Sequence, residues 1–170
     1  ENVVGHSKVG ERSLAIRYQG VAIGRSARVA TPVFIPSRQV ADYFSRRGYA
    51  LLASPRLHPG QTVRAAISAD AQNEQPVQCN LYIRVYGAEH KLEIRRSPQI
   101  TLAAGAAHEF TWTLDNTGGA PIAEVGVEVT SPARADGMIY LDDLTWSGAP
   151  NVTLRRPDYD TGYRRFGGVQ

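Results

Sequence analysis

Cysteine occurs once, as Cys79, in 170 residues, so no intrachain disulfide can form and no cysteine-based zinc cluster can be assembled. Lysine is almost as scarce. Lys8 and Lys91 are the two lysines among 19 basic residues, the remainder being arginine, and 16 acidic residues leave a formal charge of +3. Arg12, Arg17, Arg25, Arg28, Arg38, Arg64, Arg84 and Arg134 are scattered along the chain, whereas nucleic-acid binders concentrate a basic stripe on one element; no nucleic-acid partner is expected. No stretch approaches the roughly 18 apolar residues of a membrane-spanning helix, and no membrane partner is expected either.

Chemical signatures are missing as well. There is no Gly-x-Ser-x-Gly elbow, Ser54 and Ser131 precede prolines in turns, and Cys79 sits between Gln78 and Asn80 without a neighbouring histidine. The run from Gly20 to Gly24 lacks the lysine of a phosphate loop. His6, His58, His90 and His108 fall in different loops or strand ends, no two of them at metal-ligand spacing.

What the chain does have is short alternation. Leu14, Ile16 and Tyr18 alternate with Ala15 and Arg17; Val63, Ala65 and Ile67 with Arg64, Ala66 and Ser68; Leu81, Ile83 and Val85 with Tyr82, Arg84 and Tyr86. Phe110, Trp112 and Leu114 alternate with Thr111 and Thr113, and Val125, Val127 and Val129 with Gly126 and Glu128. A period of two puts one set on a core face and the other outside, the pattern of one layer in a two-sheet sandwich. Turn residues fall between the runs, at Pro59-Gly60, Asn73 to Pro76, Gly105, Asn116 to Gly119 and Asp136-Gly137. A chain of this size buries roughly 70% of its unfolded surface, enough for one core. The expected fold is all-β, a two-sheet antiparallel jelly-roll β-sandwich over residues 1–150.

Outside the alternation, residues Gln39 to Arg47 could make a short helical turn with Val40, Tyr43 and Phe44 on one side. Beyond Pro150 the periodicity stops, and residues 151–170, rich in Arg, Gly and Tyr, are expected to be a linker or docking tail. Glu1 opens directly into structure-like sequence, as in a module cut from a longer protein. The cysteine count leaves the compartment open, a secreted setting being the favoured one.

Four segments in order resemble the galactose-binding-like jelly-roll carbohydrate-binding modules: Gly5 to Leu14, His58 to Val63, Leu102 to Leu114, and Met138 to Trp146 with its paired aspartates. More narrowly, Tyr140 to Pro150, with Ala53-Ser54-Pro55 and Tyr86-Gly87, resembles the accessory β-domain of some bacterial ADP-ribosylglycohydrolase-like proteins. The resemblance implies a non-catalytic module that binds a glycan beside a catalytic domain of the same chain. It also implies a structural calcium held by the first aspartate of the pair, Asp142, with carbonyls around Lys8, Gly10 and Ser13 and with Glu11. The alternative for Asp142 is to cap loop amides or pair with an arginine such as Arg12.

Adjacent on a strand, Asp142 and Asp143 should point to opposite faces and so cannot act as an acid/base pair; Asp143 is expected to face solvent. Trp112 and Trp146 run in phase with the core and are expected inside. The outward row Tyr82, Arg84 and Tyr86 offers rings for the C–H faces of sugars and a guanidinium for their hydroxyls. Glu124 and Glu128 could accept sugar hydroxyls if their strand lies alongside. The competing reading makes Tyr82 and Tyr86 cross-strand packing residues, in a structural or interaction domain that packs on a catalytic partner without binding sugar.

Overall fold

The structure, a computed structural model, describes residues 1–34, 55–87 and 91–152. The expected helical turn at Gln39 to Arg47 and most of the expected tail lie outside these residues.

Among the described residues, ten strands form two sheets. One orders β1 (Asn2–Val4), β2 (Arg12–Val21), β10 (Ala135–Ser147), β4 (Thr62–Ala69) and β8 (Ala107–Thr113). The other orders β3 (Ser26–Pro32), β9 (Ile122–Thr130), β5 (Val77–Tyr86) and β6 (Leu92–Arg96), with β7 (Ile100–Leu102) on a separate stretch of β5. All pairings are antiparallel. Setting aside short β1 and β7, the sheets run β2-β10-β4-β8 and β3-β9-β5-β6, the jelly-roll winding of two Greek keys.

The core is the sum of the alternating runs. Ile16, Val63, Ala65, Ile67, Phe110, Ile139 and Leu141 from one sheet meet Val77, Leu81, Ile83, Val85, Val125, Val127 and Val129 from the other, all buried. Each fully buried Val, Leu, Ile or Phe contributes roughly 1.5–3 kcal/mol. Leu14 departs from the expectation: in phase with Ile16, it is nonetheless exposed at the open end of β2, beside three-residue β1. Trp112 and Trp146 are half-buried against the core rather than enclosed, and Trp146 donates its indole N–H to the Arg56 carbonyl at 2.9 Å.

The strand with the two aspartates is not regular. Strict alternation from Ile139 and Leu141 would turn Asp143 and Thr145 inward and leave Leu144 and Trp146 outside. The register instead shifts between Asp142 and Thr145: Asp142 faces Ala66, and Thr145 faces Arg64. One extra residue on β10 is a β-bulge, and Asp143 takes it up with φ +52°. Past the bulge, Trp146 faces core residue Val63, and Leu144 joins Trp146 against the interior. The opposite-face geometry expected for Asp142 and Asp143 is thus corrected: a bulge, not the pleat, separates them.

Candidate functional site

Residues of alternate parity on β3, β9, β5 and β6 turn away from the core and share one face. Glu128 lies between Arg28 and Asn80, Gly126 between Ala30 and Tyr82, and Glu124 between Pro32 and Arg84. Across β5, Tyr82 faces Arg96, Arg84 faces Ile94, and Tyr86 faces Leu92. Tyr82, Arg84, Tyr86, Glu124 and Glu128 therefore stand on one surface, because β9 is hydrogen-bonded to β5.

The face is not a row of presented rings. Tyr82 and Glu128 are each only 2% exposed. Tyr86 is half-buried, with the Phe34 ring edge-on to it at 5.8 Å. Gly126, next to Tyr82, lies where β3 passes close: a Cβ there would stand 2.1 Å from the Val29 carbonyl oxygen and 2.7 Å from the Ala30 Cα.

The carboxylate of Glu128 is fully engaged. Oε1 accepts Arg28 Nε at 2.7 Å, Arg28 Nη2 at 2.7 Å and Arg96 Nη2 at 3.1 Å. Oε2 accepts Arg96 Nε, and Asn80 Nδ2 at 3.4 Å. The Arg96 hydrogen bond, aided by Ser26 and Arg28 and opposed by burial, holds its carboxyl down at about 2. A carboxylate has about four lone-pair sites, so Glu128 has no capacity left for a sugar hydroxyl; that expected role is corrected.

Glu124 is less committed. Its Oε1 accepts the Tyr82 hydroxyl and Arg84 Nη1, each at 3.3 Å. Burial, with the Glu124 charge and hydrogen bond, pushes the Tyr82 phenol up to about 12 against the opposing pull of Arg28 and Arg84. Arg84 Nε is buried and has no hydrogen-bond partner.

Arg28, Arg96, Asn80 and Phe34 were not singled out for this site from sequence. Arg28 and Arg96 lie on strands whose alternation is faint: Val29, inward by register, is 38% exposed on edge strand β3, and Leu92 is 36% exposed on β6. A charged residue in outward phase beside a weak apolar repeat was the available signal.

Asp142 serves the opposite sheet. Its Oδ2 accepts the amides of Lys8 at 2.6 Å and Val9 at 2.8 Å, closing the loop between β1 and β2. Burial draws its carboxyl upward, but amide hydrogen bonds from Val9, Lys8 and Asp143, with the Lys8 charge, outweigh that and hold it below the usual range. Within the loop, Ser7 Oγ donates to the Gly10 carbonyl at 3.0 Å, Gly5 N to the Glu11 carbonyl at 2.8 Å, and Ser13 Oγ to the Gly5 carbonyl at 2.8 Å. Lys8 Nζ binds Glu109 Oε2 at 2.6 Å.

A calcium ion needs six to eight oxygens turned to one point. Here the carboxylate faces N–H donors, and the carbonyls of Gly10 and Glu11 are engaged by the loop itself. The set drawn from Asp142, Lys8, Gly10, Ser13 and Glu11 does not fit the ion, and Asp142 is a cap of loop amides. Among the described residues, no three His, Cys, Asp or Glu side chains gather where they could hold a metal. His6 stacks flat on Tyr140, ring centroids 3.7 Å apart.

No protein-family model matches the chain, and no curated protein matches it. Solved structures do. One, concerned with the promiscuous specificity of carbohydrate-binding modules from the β-sandwich superfamily, aligns with a TM-score of 0.59 at 15% identity, covering 86% of this chain and 52% of that one. Another holds the CBM22-1 and GH10 modules of Clostridium thermocellum endo-1,4-β-D-xylanase 10B complexed with xylohexaose; it aligns with a TM-score of 0.51 at 11% identity, over 86% of this chain and 23% of that one. The chain thus spans about half the length of the first and a quarter of the second. The all-β, two-sheet fold read from the sequence is the fold these structures share.

Proposed function

We propose that the chain is a non-catalytic carbohydrate-binding module that holds its glycan on the β3-β9-β5-β6 face, attached to a catalytic domain in a longer protein. The carrying observation is the register that gathers Arg28, Arg84, Arg96, Glu124 and Tyr86 around buried Tyr82 and Glu128. Planar donors held by ion pairs suit hydroxylated ligands, because their side-chain entropy is largely lost before binding. A sheet face of this kind buries modest area, so affinity is expected to be weak.

Hydrolysis finds no support on this face. Glu124 and Glu128 are four residues apart on one strand, about 13 Å at the usual rise, whereas paired glycosidase carboxylates stand about 5–9.5 Å apart. A general acid also needs a raised pKa, and that of Glu128 is lowered to about 2.

The burial of Tyr82 and Glu128 favours a second reading, a structural sandwich that packs on a catalytic partner and binds no sugar. A glycan array probed with the 170-residue chain and with its Tyr86→Ala and Arg84→Gln variants separates them. Signal for the parent chain that both variants lose supports recognition by this face. Silence across a broad array supports the structural domain, and signal that both variants retain moves the site elsewhere.

A further inference from the structure

The hydrogen-bond inventory of the β3-β9-β5-β6 face is unbalanced. Guanidinium groups donate through five N–H bonds and accept nothing, and three of them, on Arg28, Arg84 and Arg96, stand here 39%, 36% and 46% exposed. Their acceptors are two carboxylates. Glu128 is saturated by Arg28, Arg96 and Asn80, and Glu124 already takes Tyr82 and Arg84 on one oxygen. On the donor side much is left over: among the described residues Arg28 and Arg96 spend Nε and Nη2 on Glu128 and Arg84 spends Nη1 on Glu124, so the other guanidinium N–H bonds remain, apart from Arg84 Nε, which is buried out of a ligand's reach. Among the described residues, three cations against two carboxylates also leave this face one positive charge in excess.

Neutral sugars offer hydroxyls, which both donate and accept, and so would leave the surplus donors partly unmet. A carboxylate only accepts, and its two oxygens match the guanidinium fork. The geometry points to an acidic glycan as the ligand of this face, a polysaccharide whose uronic-acid carboxylates are bound by Arg84 together with the outer edges of Arg28 and Arg96. Glu128 then acts as a positioning residue that fixes two of the forks. This inference rests on the carbohydrate-binding reading above and names its substrate class. Nucleic-acid phosphate would satisfy the same forks, but single-strand binders add aromatic stacking platforms; Tyr82 is 2% exposed and Tyr86 is half-buried.

The test is affinity electrophoresis and calorimetry of the 170-residue chain with matched pairs: polygalacturonate, alginate and glucuronoxylan, each beside its carboxyl-reduced form. Neutral xylan, dextran sulfate and a thymidine oligonucleotide complete the set. At least one acidic polymer is expected to bind ten-fold or more tightly than its reduced partner, with affinity falling as salt rises. Arg84→Gln should weaken that binding about ten-fold at an unchanged melting temperature, while Arg84→Lys, which keeps the charge but loses the fork, should restore only part of it. Equal binding to both members of every pair, or to neutral xylan alone, overturns the acidic-glycan inference but leaves the carbohydrate reading standing. Binding confined to dextran sulfate or to the oligonucleotide overturns it in favour of that anion. Failure to bind any polymer overturns both.

Discussion

Arg96, on β6, reaches across β5 to clasp Glu128 on β9, two strands away. With Arg28 arriving from the other side, the carboxylate ties the sheet together across its width. Both arginines are more than a third exposed while Glu128 is almost wholly buried, so the cost of breaking the group falls on the acid.

Glu128→Gln should therefore cost on the order of 3 kcal/mol at neutral pH, from a pKa lowered from 4.5 to about 2. The folded value lies below the unfolded one, so this stabilisation is complete above about 4.5 and is lost as pH falls toward about 2. Urea unfolding between pH 7 and pH 2 reads it directly. The gap between parent and variant should close across that window; a gap independent of pH would show that the ionised carboxylate is not what stabilises.

Asp142→Ala removes the acceptor of the Lys8 and Val9 amides and is expected to lower stability by about 1–2 kcal/mol, as lost amide caps do. The melting temperature of the parent chain should be the same in excess calcium and in EDTA. A rise with calcium that Asp142→Ala abolishes would assign the carboxylate to a cation instead.

The bulge at Asp143 yields a paired prediction. Asp143→Gly relieves a φ of +52° and should stabilise by a few tenths to about 1 kcal/mol. Asp143→Val, β-branched at positive φ, should destabilise by roughly 1–2 kcal/mol. Deleting Asp143 removes the extra residue and leaves simple alternation with Leu144 and Trp146 still inward, so the tryptophan emission should be unchanged; a red shift would show that the bulge itself is what aims them.

Cys79 is 0% exposed, and burial lifts its thiol to about 12. A thiol reagent should label the native chain at the opening rate rather than at the rate of a free thiol. Rapid labelling at pH 8 in native buffer would contradict that burial.

Much of the fold was legible because the period-two pattern is local. Wherever β-branched and aliphatic residues alternate strongly, as in Val63 to Ile67, Leu81 to Val85 and Val125 to Val129, the strands and their buried faces are as expected. Strands on the sheet margins, β3 and β6, were harder to read because they bury little and so carry weak alternation. Asp143 misled in another way: a bulge depends on which neighbouring strand must be matched, and the pleat alone suggested simple alternation.

Outside the bulge at Asp143 and the exposed Leu14, the sequence by itself determined which side chains turn inward, since parity along a strand is set by backbone geometry, and it determined that no intrachain disulfide staples the core. The tertiary structure decided what the outward residues do. Along the chain Arg28 lies far from Arg84 and Arg96, and both glutamates lie further on; the pairing of β9 with both β3 and β5 brings their strands together around Glu128 and Glu124. Strand adjacency arises from non-local pairing, and only that pairing turns scattered charges into a face with a surplus of donors.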